Sequence, residues 1–209
     1  MMTFGNTQLQ EAAERLGAKD YRSAHAICMD VLSKDPASAQ AYYLLGILTA
    51  DHANHAKAIE LFERALHFNP DHAAALAQMA RSHIARLNRE AALHAARASA
   101  ALKPKDAFTL DTLGVVFSRA GLHAEAVPFY AAATAAAPGI ADYHYNHGAA
   151  LQFLGDMEAA RAAFEHCLAI DPLETRALSS IVQITRQTAE HNRRAELEAA
   201  FTATQDDAD

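Results

Sequence analysis

The chain has 209 residues, of which 51% are hydrophobic and 21% charged, with a formal net charge of −7. That balance suits one folded domain or a short repeat array and excludes a chain disordered by composition. Phosphate-rich partners demand clustered positive charge, and no Lys/Arg stripe runs along the chain, so no nucleic-acid or anionic-membrane partner is expected.

The chain opens with MMTFGNTQLQ, which has no basic run and no apolar core and does not read as a signal peptide. No stretch reaches the roughly 20 apolar residues that span a bilayer. Cys28 and Cys167 are far apart and fit no metal spacing, and a reducing cytoplasm is the expected compartment. Alanine, the best helix former, makes up about a quarter of the residues. Apolar residues form no alternating runs, so the expected class is all-α.

Taken in order, the pattern predicts helix pairs over 6–18 and 20–34, 38–51 and 54–68, 72–85 and 88–102, 106–119 and 122–136, and 140–153 and 156–170. Pro36, Pro70, Pro104, Pro138 and Pro172 close the pairs at an interval of 34 residues. A proline cannot continue a helix, and it restrains the residue before it. Asp35, Asn69 and Asp171 add turn-forming side chains just ahead of three of these prolines. Gly121 and Gly155 fall in the turns inside the fourth and fifth pairs, where positive φ ends the first helix. Pro128 falls early in the second helix of the fourth pair and is expected to cost one backbone bond.

The interval recurs throughout the chain. Twelve residues before each proline stand Ala24, Ala58, Ala92, Ala126 and Ala160. Twenty-four before stand Ala12, Gly46, Ala80, Gly114 and Gly148, small enough to let antiparallel helices approach closely. Eight before stand Cys28, Phe62, Ala96, Tyr130 and Phe164, mostly large residues that fill the gap to the next pair. A fixed period of this size marks stacked supersecondary units.

This frame resembles the tetratricopeptide repeat family over residues 5–172. The best match is 39–70, with Tyr42, Leu45, Gly46, Ala58, Phe62, Ala65 and Pro70. The first repeat departs most, with Gln8 and Glu11 at usually apolar places, as suits an exposed terminal repeat. The resemblance implies a right-handed superhelical solenoid of helix-turn-helix units, at about 5–36, 39–70, 73–104, 107–138 and 141–172. It also implies a non-catalytic, protein-binding role with no cofactor.

After the last repeat, Leu178, Ile181, Val182 and Ile184 suit a helix over 174–187 that covers the open end. A second helix is expected over 190–203, with Leu197, Ala200 and Phe201 facing inward. Together they give a cap over 174–204, followed by an acidic disordered tail at 205–209. This end also resembles the repeat region of bacterial proteins that join tetratricopeptide repeats to a sulfotransferase domain. That likeness implies a recruitment or regulatory part of a sulfotransferase whose catalytic domain lies outside these residues. The chain itself holds no Gly-rich phosphate cradle.

Ligands of the family usually lie in a groove lined by the first helices. In register, twenty-six before each proline, stand Gln10, Leu44, Gln78, Thr112 and Asn146, with Ser180 continuing the row. Such hydrogen-bonding groups suit the backbone of an extended peptide, and they equally suit a solvated helix face. One residue earlier stand Leu9, Tyr43, Ala77, Asp111 and Tyr145; Phe108, Asp142 and Arg81 point the same way by helical spacing. The expected binding residues are thus Gln10, Tyr43, Gln78, Arg81, Phe108, Asp111, Thr112, Asp142, Tyr145 and Asn146. Asp111 and Asp142 argue for a neutral or basic protein or peptide partner. Pairing of two copies through the terminal helices is a further expectation. The third repeat carries a mild excess of cations, Arg81, Arg86, Arg89, Arg97, Lys103 and Lys105, which reads as a solvated basic face.

Catalytic and metal chemistry are not expected. His144 and His147 share the spacing of helical ligands, but both occupy packing positions of the other repeats. His52 and His55 lie in a turn beside Asp51 and fall short of the three or four ligands of a stable zinc site. Cys28 and Cys167 read as buried, inert thiols.

Overall fold

The structure, a computed structural model, describes residues 4–185, 193, 195–199 and 202. The fold is all-α, with no strand among the described residues. The helices are α1 Phe4–Gly17, α2 Tyr21–Lys34, α3 Ala39–Asp51, α4 His55–Phe68, α5 Ala73–Ala85, α6 Arg89–Ala101, α7 Ala107–Arg119, α8 His123–Ala136, α9 Ala141–Phe153, α10 Met157–Ile170 and α11 Thr175–Ile184. None of them is long and apolar enough to cross a membrane.

From α2 to α10 each helix begins one residue later than the sequence pattern places it. The reason is capping. Asp20, Ser38, Asn54, His72, Asn88, Asp106 and Asp156 each precede a helix and accept a backbone N–H from three residues on. An N-cap satisfies an otherwise orphan donor and keeps its own backbone non-helical. Leu122 and Ile140 precede α8 and α9 without a side-chain cap bond. α8 runs unbroken through Pro128.

One turn recurs inside all five helix pairs. Lys19, Ala53, Leu87, Gly121 and Gly155 lie one period apart and all have positive φ, from 58° to 83°. The next residue's N–H reaches five residues back in each case, as in Asp20 to Arg15 and Asn88 to His83. That is the left-handed C-terminal cap of an α-helix. Glycine supplies it in two pairs, whereas Lys19, Ala53 and Leu87 carry the steric cost of a Cβ.

The chain forms two compact units, Met1–Pro104 and Lys105–Asp209. In the first, α1 pairs with α2, α3 with α4 and α5 with α6, and each second helix of the first two pairs also packs on the next first helix. In the second, α7 pairs with α8 and α9 with α10, and α11 lies against α9 and α10.

The close approach inside each pair is set by two residues. A Cβ on Gly46 would sit 2.4 Å from the Phe62 ring, on Gly114 2.6 Å from Tyr130, and on Gly148 2.8 Å from Phe164. In the pairs that carry Ala12 and Ala80 at this register, the register of the ring holds Cys28 and Ala96, and all four are buried. In the three glycine pairs a small residue thus faces a large ring, and the ring takes the space that a side chain would have needed.

α11 buries Ala177, Leu178 and Ile181, while Val182 and Ile184 are half-buried. Of the expected 190–203 helix, residues 195–199 are helical and Leu197 is half-buried. Ala200, Phe201 and the tail at 205–209 lie outside the described residues.

Candidate partner-binding surface

First helices carry the candidate surface, and their residues sort by depth. In the first unit Gln10 is exposed and its side-chain N–H₂ donates to Glu14 across one turn, 3.3 Å away. Arg81 is also exposed. Tyr43 is only 7% exposed, with its ring against His72 and Phe62, and Gln78 is 2% exposed. The ring of His72, the N-cap of α5, bonds Gln40 on α3 at 3.1 Å.

In the second unit Thr112 is 3% exposed and its hydroxyl donates to the Phe108 carbonyl at 2.8 Å. Asn146 donates to Asp111 at 2.9 Å, joining α9 to α7. Tyr145 is half-buried between the Phe164 ring and the Arg176 guanidinium, whose carbon lies 4.4 Å over the ring centroid. Arg176, on α11, also binds Asp142 and Glu174. Its pKa is raised by hydrogen bonds to Glu174 and then Asp142, the Glu174 bond counting more. The same bond holds Glu174 below the usual carboxylate range. Phe108 remains 43% exposed on the first turn of α7.

The sequence register thus places side chains of two kinds together. Tyr43, Gln78 and Thr112 are withdrawn from solvent, because that register faces the adjoining helices and the space between them is filled. Gln10, Arg81, Phe108 and Asp142 are the expected residues that stay exposed. Asp111, Tyr145 and Asn146 lie between these extremes.

Gln40, His72, Glu174 and Arg176 were not foreseen in the sequence. Gln40–His72, Asp111–Asn146 and Asp142–Arg176 are polar rungs that join α3 to the N-cap of α5, α7 to α9 and α9 to α11, spaced 32, 35 and 34 residues apart. A search for complementary side chains one repeat apart would have found the last, since Asp142 and Arg176 have opposite charge at the exact period.

Several histidines make hydrogen-bond or ring contacts within the fold. His144 bonds the Pro138 carbonyl, and its ring stacks 5.7 Å from that of His166. Burial, then the nearby His144, lowers the pKa of His147. His52 bonds the Leu48 carbonyl. Among the described residues no three His, Cys, Asp or Glu side chains are grouped to hold a metal ion. Cys28 and Cys167 are free thiols, buried and pushed up to about 11.

The tetratricopeptide repeat family model matches residues 39–72 and 141–172, one stretch in each unit. The chain therefore carries tetratricopeptide repeats in both units. The fold of such proteins recurs in solved structures. PilF of Pseudomonas aeruginosa superposes with a TM-score of 0.73 at 15% identity, covering 96% of this chain and 90% of that one. The APC/C hetero-tetramer Cut9–Hcn1 gives 0.72 at 20% identity over 86% of this chain. This repeat chain spans 36% of the length of that protein. YrrB, described as a TPR protein with an unusual peptide-binding site, gives 0.57 at 22% identity over 83% of this chain and 89% of its own. No curated protein sequence matches the repeat chain.

Proposed function

We propose that this repeat protein is a non-catalytic module that holds a peptide or a partner domain on its first helices, in the cytoplasm. We read it as five repeats over 5–172 followed by capping helices. The observation that carries the reading is Phe108, a large apolar side chain left 43% exposed beside the Asp111–Asn146 rung. An exposed aromatic next to oriented hydrogen-bonding groups suits a partner better than solvent. The peptide-binding site named for YrrB supports the same use of the fold. With Asp142 paired to Arg176 and Asp111 accepting from Asn146, the surface favours a neutral ligand over a basic one.

The test compares proteins retained from source-cell lysate by the unchanged chain and by Phe108→Ala. Phe108 is exposed, so the variant is expected to fold as before. A protein held by the first and lost by the second supports the reading. Identical retained sets would remove the first-helix surface of the second unit from consideration.

A further inference from the structure

Between Ala73 and Pro104 the charge balance of the chain reverses. This stretch carries Arg81, Arg86, Arg89, Arg97 and Lys103, all exposed, and one acid of its own, Glu90, in a protein of net charge −7. The turn joining α5 to α6 presents Leu87, 90% exposed, the most exposed large apolar side chain among the described residues. Its φ is 61°, a left-handed value that strains a residue with a Cβ. Gly121 and Gly155 fill the same place in the second unit without that strain. Arg86 caps α5 immediately before Leu87, and Arg89 opens α6 two residues after it. From there a shallow groove of about 710 Å³ follows α6, lined by Arg89, Glu90, Leu93, His94, Arg97 and Ala98, two guanidinium groups against one carboxylate. Arg89 to Arg97 covers about 12 Å of helix.

We propose that the α5–α6 hairpin is a second docking surface, which takes an acidic peptide segment of a partner protein with an apolar residue seated on Leu87. Charge complementarity selects the occupant, because the cations of this hairpin stand out from an otherwise acidic molecule. A strained, solvated leucine flanked by arginines gains from being covered by an apolar side chain and fixes the register of the acidic residues beside it. Single-stranded nucleic acid is the poorer fit. Its bases need aromatic platforms, and no Phe, Tyr or Trp stands between Asn69 and Ala107. This surface is independent of the Phe108 site.

The test is fluorescence anisotropy with the full chain and a labelled peptide, mostly Glu with Leu at every fourth position. The unchanged protein is compared with Arg86→Glu and with Leu87→Gly. Binding is expected to weaken as salt rises, and Arg86→Glu to weaken it about three- to ten-fold. Leu87→Gly is expected to weaken binding about ten-fold while melting no lower than the unchanged chain, since glycine suits positive φ. A merely structural Leu87 would lower both together. Unchanged affinity in either variant, absence of binding at low salt, or displacement of the peptide by oligothymidine more readily than by an unlabelled copy would each overturn the proposal.

Discussion

Tyr130 is 3% exposed, wedged against Gly114, and burial pushes its phenol up to about 12. In the unfolded chain the same group titrates near ~10. Between those values the unfolded state has released a proton that the folded state keeps. The stabilisation is therefore complete below about pH 10 and is lost as pH rises towards about 12. Cys28 and Cys167, raised from 9.0 to about 11, begin the same loss at lower pH. The expected outcome is a denaturant midpoint that falls steeply above pH 10, with a shallower fall in Tyr130→Phe. Equal slopes in the two proteins would assign the alkaline loss to other groups. At this scale the sequence was partly legible. Gly121 and Gly155 announced their left-handed turns, whereas Lys19, Ala53 and Leu87 did not, since nothing in those residue types favours positive φ. Each such Cβ costs about 1 kcal/mol, which the rest of the hairpin overrides.

Within one helix pair, the match between a glycine and an aromatic ring sets the spacing. Gly46 with Phe62, Gly114 with Tyr130 and Gly148 with Phe164 are contacts that leave no room for a methyl group. Gly114→Ala is expected to destabilise the protein by about 1–3 kcal/mol through overpacking, measured by chemical denaturation. Adding Tyr130→Ala to it is expected to cost less than the sum of the two single changes, because the second makes room for the first. Strict additivity would mean that the ring and the glycine do not define the gap. Helix extents were read from the proline interval to within a residue for most helices. The consistent late start reflects N-capping side chains such as Asp20, Asn54 and Asn88, whose backbone stays outside the helix they begin.

For the whole molecule, repeats that contact only their neighbours make stability a sum of local terms. Met1–Pro104 has its own buried cluster, which includes Leu45, Phe62 and Ala65. The fragment 1–104 is accordingly expected to show a helical circular-dichroism spectrum and a cooperative melt on its own. A fragment without helical signal would show that its core depends on the second unit. The sequence by itself determined the all-α repeat fold, because helix formers, caps, small contact residues and prolines act over short range and recur every 34 residues. Only the tertiary structure decided which first-helix side chains remain available. Thr112 and Gln78 sit in the register of a polar row yet are buried, while Asp142 is answered by Arg176 a full repeat away. Burial and pairing depend on what the neighbouring helices bring within a few ångströms, and helical period alone does not carry that distance.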